Sequence, residues 1–352
     1  MKTNPRRPNS LGELSVLYAS VMSRAVLAEG QNPAPLFERF GLSNQTLSTP
    51  ETRISIPRFM RLGEAAIRLT GNPALGLTMG ELSRPVDAGF AGLAAQSAPT
   101  VGEALRTLIH FALLTSHNSR GAPWVADQNL TAHFYSIRPY NVFNYFVVDS
   151  VLAAWTQFLR TVSGQRDVLE RVSIEYESLG LESEFESWFR CPVRFGSASN
   201  AIELRKDVRD MVPRQAQPGM FEVLAKQCER QLLRIRTHWT MGDRVKDMLA
   251  PLLQGDTPTL AVISNRLGIA PWTLQRQLNE EGTGFRELLD ETRKELASEY
   301  IRETRTSIAE IAWLLGFANP AAFHKAWKRW YGTSPAEHRK RFRSEQRKKG
   351  IV

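Results

Sequence analysis

Behind Pro271, the side chains of Trp272, Gln275, Arg276 and Asn279 recur at helical spacing in "LGIAPWTLQRQLNEEGTGF". A turn of about 100° per residue from Trp272 puts Gln275 at about 300°, Arg276 at about 40° and Asn279 at about 340°, whereas Leu274 and Leu278 fall at about 200° and 240°. The leucines therefore face a core and the other four share the outward face. A guanidinium can bond both acceptors of guanine, a carboxamide can bond the edge of adenine, and an aromatic body can lie against a thymine methyl. That chemistry is recognition of base edges by hydrogen bonds and contact, with no bond made or broken. A plainer alternative is that Trp272 covers an edge of its own domain, and the residues alone leave it open.

The elements that hold this face recur. "TLAVISNRLGI", Thr259 to Ile269, aligns at an offset of 48 residues with "SIAEIAWLLGF", Ser307 to Phe317. Each copy reads as a short helix stopped by a glycine, Gly268 or Gly316, that can take the left-handed conformation. A second short helix follows each, and helix, glycine turn, helix is the arrangement whose second helix can enter a DNA major groove. Small Ser264 and Ala312 permit close crossing. In the second copy, "NPAAFHKAWKRW", Phe323, Ala326 and Trp327 point inward while Ala321, His324, Lys325 and Lys328 point outward. Ser334, Pro335 and Glu337 have the order of a capping box, and that helix N-terminus could hold a phosphate. Ser307 and Glu310 form a similar box. Between the copies, Phe285, Leu288, Leu289, Thr292, Leu296 and Tyr300 or Ile301 make one apolar stripe, which predicts a single long connecting helix.

Charge supports an anionic partner. The formal net charge is +9, and residues 221–352 hold 23 Lys and Arg against 16 Asp and Glu, whereas residues 1–220 hold 22 against 20. Taken alone, "RSEQRKKGIV" also reads as a solvated tail.

The first 120 residues predict helices, among them "SVLYASVMSRAVLAEG", "IPRFMRLGEAAIRLTG" and "TVGEALRTLIHFALLTSH". "LTAHFYSI" and "ERVSIEYESL" alternate like strands, "NVFNYFVVDSVLAAWTQFLRTVSG" reads as an amphipathic helix between them, and "PVRFGSASNAIELR" suggests a hairpin. The expected architecture is an α+β N-terminal domain followed by an all-α C-terminal domain with two helix-turn-helix units joined by a long helix. Its expected divisions are a flexible N-terminus over 1–19, the α+β domain over 20–212, a linker helix over 213–239, the DNA-binding domain over 240–343 and a basic tail over 344–352.

Several classes are disfavoured. The start lacks the apolar core of a signal peptide, no run approaches a membrane span, and the expected location is the cytoplasm. Only two cysteines, Cys191 and Cys228, are present and lie far apart, which argues against a disulfide framework or a zinc site of cysteine pairs. His110 and His117 lack the spacing of a zincin helix, "GTGF" lacks the rest of a phosphate loop, and there is no "GxSxG". We therefore expect no catalytic residue, no metal and no cofactor. The rival readings are a DNA-binding architectural protein without sequence preference and an enzyme fused to a DNA-binding module.

Residues 240–343 resemble the DNA-binding domain of the AraC/XylS family of bacterial transcription regulators. The resemblance rests on "LGIAPWTLQRQL", "GTGFRELLDETRKELA" and "IAEIAWLLGFANPAAFHKAWKRWYGTSPAEHRK". It implies base contacts from Trp272, Gln275 and Arg276 in one unit and from Pro320, Ala321, Ala322, His324 and Lys325 in the other. The DNA-phosphate contacts expected beside them are Thr273, Asn279, Lys328, Arg329, Thr333, Ser334 and Arg339. Two departures from the family stand out: Ala270 and Ala318 occupy the recognition-helix caps where serine is common, and Pro320 with the two alanines leaves the second helix few hydrogen-bonding groups. More weakly, residues 20–210 resemble the α/β effector and dimerisation domain of the ornithine-utilisation regulator group, through "NPALGLTMG" and "SAPTVGEALRTLIHF". The implied partners are double-stranded promoter DNA, RNA polymerase, a small-molecule effector and a second copy of the chain, with no membrane. The effector-binding residues are unknown at this level. His110, His117, His133, Tyr135 and Asp149 are polar groups in apolar stretches, for each of which a structural role is the simpler reading.

Overall fold

The computed structural model describes residues 11–348 except 50, 142, 143, 238 and 254. The chain divides into two compact units, one of residues 13–118 and 122–234 and the other of residues from Ile235 onward with Leu11, Gly12 and Ser119–Gly121.

The first unit is α+β, as the alternation of helical and strand periodicity implies. Strands β1 (Gly12–Ser15), β2 (Arg53–Ser55) and β3 (Ser116–Asn118) form a sheet in the order β2-β1-β3. β1 lies inside the segment expected to be flexible, because Glu13, Leu14 and Ser15 pair antiparallel with Ser55, Ile54 and Arg53. A second sheet joins β4 (Trp124–Ala126), β5 (Thr131–Phe134), β6 (Leu169–Ser173), β7 (Val193–Arg194) and β8 (Asn200–Leu204) in the order β4-β5-β8-β6-β7. The hairpin expected of "PVRFGSASNAIELR" does not form. β6 lies between its two arms, antiparallel to β8 and parallel to β7.

The helices that matter below are α1 (Leu17–Ala28), α2 (Ile56–Thr70), α3 (Leu75–Glu81), α4 (Val101–His110), α5 (Tyr145–Ser163) and α6 (Glu182–Phe189), followed by α7 (Pro218–Thr237), which runs past the division at Ile235. α5 is the spine of the core: Val148, Leu152, Ala153, Trp155, Phe158 and Leu159 are buried on it with Leu105 and Leu108 of α4 and with Val172 and Ile202 of the sheet. α3 crosses α5 at close range because Gly76 and Gly80 are one turn apart. A Cβ at Gly76 would stand 2.6 Å from the Asp149 Cβ, and one at Gly80 2.1 Å from the Ala153 Cβ. Both separations are far inside van der Waals contact, so only glycine lets the two backbones meet. Gly80→Ala is expected to force them apart and to lower stability by about 1–3 kcal/mol, the cost of overpacking a core. Urea unfolding followed by circular dichroism checks it, and an unchanged midpoint would mean the crossing is slack.

In the second unit, the described residues from Met241 onward form helices and their connections: α8 (Met241–Leu252), α9 (Leu260–Leu267), α10 (Pro271–Glu280), α11 (Phe285–Glu303), α12 (Ile308–Leu314), α13 (Pro320–Tyr331) and α14 (Pro335–Lys348). α11 is the expected connector. Leu288, Leu289, Thr292, Leu296, Tyr300 and Ile301 are its buried stripe, and its 19 residues span about 28 Å at 1.5 Å per residue.

Candidate nucleic-acid interface

The two repeats fold alike, down to their caps. Thr259 Oγ1 accepts the Val262 N–H at 3.4 Å to start α9, and Ser307 Oγ accepts the Glu310 N–H at 3.2 Å to start α12. Gly268 at φ 68° and Gly316 at φ 65° turn the chain toward the second helix of each unit. At Gly316 a Cβ would also meet the Asp256 carbonyl oxygen at 2.1 Å, so the turn excludes a side chain on two grounds. Ser264 and Ala312 are buried, and their small size lets each helix pair close.

α10 presents the face expected of it. Leu274 and Leu278 are fully buried, whereas Trp272 is 69% exposed. Arg276 and Asn279 are exposed, while Thr273 and Gln275 are half-buried. Gln275 Nε2 donates to Asn279 Oδ1 at 3.1 Å, and Arg276 Nη1 donates to Glu280 Oε1 at 2.9 Å. Ala270 caps α10 without a side-chain acceptor, and Pro271 in the first turn needs no N–H partner.

The second helix differs at its start. Its cap is Asn319, whose Oδ1 accepts the Ala322 N–H at 2.8 Å, so the missing acceptor expected at Ala318 is supplied one residue later. Pro320 takes the first helical position and moves the boundary there. Phe323, Ala326 and Trp327 are buried, while Pro320, Ala321, His324, Lys325, Lys328 and Arg329 are exposed and Ala322 is half-buried. α13 carries no acidic residue. Its outward face is a small-residue patch followed by cations, a shape that can approach a polyanion closely.

The phosphate-contact candidates divide into two groups. Lys328 and Thr333 are exposed, and Arg329 reaches Asp290 of α11 at 2.5 Å while keeping most of its surface in solvent. Ser334 and Arg339 are already engaged. The Ser334 N–H donates to Glu337 Oε2 at 3.0 Å, and the Ser334 backbone and hydroxyl hold the Glu337 carboxyl below its ordinary range. Arg339 donates to the Ile301 carbonyl at 3.3 Å and the Thr306 carbonyl at 2.6 Å, which fastens α14 to the end of α11. The basic stretch over 344–352 runs into α14 as far as Lys348, and residues 349–352 lie outside the described residues.

Arg293, which charge reading passes over, holds the second unit to the connector. It donates to the Leu315 and Gly316 carbonyls and to Thr257 Oγ1, each at 2.8 Å, and its guanidinium lies 4.8 Å from the Phe317 ring centroid. A cation at the end of a helix satisfies carbonyls that lack intrahelical partners. The one hint in the sequence is position: Arg293 follows Thr292 on the edge of the buried stripe of α11.

In the first unit, the polar candidates are scattered. His110 meets Glu229 at 3.0 Å, His133 stacks on Trp124 at 4.2 Å and meets Ser199 at 3.2 Å, Tyr135 accepts from Trp124 Nε1 at 3.0 Å, and His117 is half-buried. Asp149 alone among them is a buried acid, bonded to the Tyr176 hydroxyl. Among the described residues no group of three or more His, Cys, Asp or Glu is placed to hold a metal, and no helix is long and apolar enough to cross a membrane.

Comparison with known proteins agrees with both units. Residues 30–212 match the family model described as the arabinose-binding domain of AraC transcription regulators, and residues 263–341 match a helix-turn-helix domain. The ornithine utilization regulator of Pseudomonas aeruginosa is 24% identical over 324 residues, 92% of this chain and 95% of that protein. The HTH-type transcriptional regulator VirS of Mycobacterium tuberculosis is 23% identical over 315 residues, 88% of this chain and 91% of that protein. Among solved structures, the transcriptional regulator CdpR of Pseudomonas aeruginosa aligns with a TM-score of 0.40 at 26% identity, over 87% of this chain and 96% of that one. With its N-terminal family domain followed by two helix-turn-helix units, the chain belongs to the AraC family of DNA-binding transcription regulators.

Proposed function

We propose that the protein reads a promoter segment through α10 and α13 in successive major grooves, and that a small molecule held by the N-terminal unit changes that binding. The observation that carries the DNA-reading half is the outward face of α10, where Trp272 stands largely in solvent beside Gln275 and Arg276 over a sealed pair of leucines. In this reading α10 is the chemical reader. Arg276 takes a guanine edge, Gln275 takes an adenine edge, and Trp272 lies on a thymine methyl or a sugar. α13 reads mainly by fit, with Pro320, Ala321 and Ala322 against the bases and His324 and Lys325 as donors. Thr273, Asn279, Lys328, Arg329 and Thr333 hold phosphates and set the register. Ser334 joins them only by releasing Glu337, and the bonds of Arg339 favour a structural duty. A homodimer in the cytoplasm, working with RNA polymerase, completes the proposal.

The test compares wild type with Arg276→Ala on DNA upstream of the gene and of its neighbours, and on random DNA at physiological salt. The expected result is a loss of about 1–3 kcal/mol confined to one guanine-containing position of the preferred segment, with relaxed preference there. A uniform loss on every sequence would mean that Arg276 holds backbone and that the protein binds DNA by charge.

A further inference from the structure

Two cavities among the described residues of the N-terminal unit differ in chemistry. The larger is walled mostly by apolar side chains, among them Met79, Leu108, Trp155 and Phe158. Its polar groups already answer one another: Tyr18 meets Thr115 at 3.1 Å, and Asp87 is paired with Arg24 and Arg84. The smaller is walled by Tyr145, Phe146 and Asp149 of α5, by Tyr176, by Phe185 of α6 and by Phe195.

The smaller cavity places an acid among aromatic rings. Asp149 is 3% exposed and its described bond is the one it accepts from the Tyr176 hydroxyl. The Tyr145 and Tyr176 centroids are 4.3 Å apart, Tyr176 and Phe195 5.8 Å, and Phe195 and Phe185 5.4 Å. On α3, Gly76 lies against Asp149, where a Cβ would stand 2.6 Å from the Asp149 Cβ. The nearby base Arg138 is engaged by Glu175 at 2.9 Å, and Tyr140 donates to the same carboxylate. No basic side chain among the described residues pairs with Asp149. Burial pushes its carboxyl up to about 8, with the Tyr176 hydroxyl pulling the other way. To ionise, an acid walled by ring faces needs a cation beside it, and no described side chain of this unit supplies one. Ring faces attract organic cations, and a carboxylate supplies the counter-charge.

We propose that this cavity binds a short organic amine as its primary ammonium, the head pairing with Asp149 against Tyr145 and Tyr176 and the carbon chain lying on Phe185 and Phe195. The site deepens the effector reading above and rests on it for any consequence at DNA. Near neutral pH the protonated Asp149 releases its proton to solvent as the ammonium arrives, so binding is coupled to the release of up to one proton per site.

The test is calorimetry on the full chain without DNA, with n-butylammonium chloride as the probe and 1-butanol as its neutral counterpart. Saturable ammonium binding is expected, with an enthalpy that shifts with the buffer's own ionisation enthalpy in the amount of a released proton, and with no competition from butanol. Asp149→Asn should weaken binding at least tenfold and remove the proton release, and Tyr145→Leu, which keeps an apolar wall, should weaken it severalfold. Equal binding of butanol, absent ammonium binding, or proton release that survives in a folded Asp149→Asn variant would overturn the site. A separate DNA titration with and without n-butylammonium isolates the effector reading: ammonium binding that leaves DNA affinity unchanged overturns the regulatory role alone.

Discussion

Trp327→Ala is expected to destabilise the second unit by about 3–5 kcal/mol, the usual cost of emptying a buried aromatic site. Trp327 is 0% exposed and is the hub of a ring cluster, with Tyr331 at 4.4 Å, His338 at 5.3 Å and Phe323 at 5.9 Å between centroids. These rings belong to α13 and α14, so the lost volume falls where the second reading helix is held in place. Trp327→Phe should cost far less. The indole N–H is buried with no hydrogen-bond partner among the described residues, and its removal relieves a donor that burial leaves unsatisfied. Urea unfolding and limited proteolysis of residues 285–348 separate the two variants. If alanine and phenylalanine melted alike, and within about 1 kcal/mol of wild type, the cluster would not be the core that holds α13.

The second large effect concerns pH. Because burial raises the Asp149 carboxyl from its ordinary 3.8 toward about 8, the folded chain keeps a proton that the unfolded chain releases. Its stabilising contribution is therefore complete below the unfolded value and is lost as pH rises through the folded one, by at most about 1.4 kcal/mol per pH unit in that window. The groups facing Asp149 do not offset it. Burial keeps Tyr176 neutral across the window, Gly76 brings no charge, and Glu175 is tied to Arg138 and Tyr140. Asp149→Asn keeps the shape of the protonated acid, so it should match wild type near pH 4 and exceed it increasingly up to pH 8. The check is the difference between the two urea stabilities measured across that range. A difference that stays flat, or that grows toward acid pH, would show that Asp149 is ionised in the folded protein.

Much of the second unit was legible in the sequence because its information is local. Thr259 and Ser307 as caps, Gly268 and Gly316 as turns, and the faces of α10 and α11 all follow from residue type and a 3.6-residue period. The misplaced features have distant partners or compete at close range. β7 and β8 look like the two arms of a hairpin until β6, more than twenty residues earlier in the chain, comes between them. Pro320 shifted a cap by one residue, from Ala318 to Asn319. Arg293 draws no role from the sequence and Arg339 is expected there at a DNA phosphate, since nothing in the sequence shows the carbonyl ends of α12 and α11 that they meet. Asp149 was visible only as a polar residue in an apolar run, and its hydroxyl partner and ring walls come from as far as Phe195.

The pairing of Arg276 with Glu280 one turn away has a kinetic corollary. In the proposed reading, every stretch of duplex that α10 visits must compete with this tethered carboxylate for the guanidinium. A phosphate met in passing offers two oxygens, as the carboxylate does, and so gains little over the pair it breaks, whereas a guanine in register offers its O6 and N7 together with the phosphate contacts that hold the helix there. The wrong duplex then leaves Arg276 folded back on its own helix and lets go quickly. In that reading Glu280 shortens the dwell time on unrelated sequence and hastens the search.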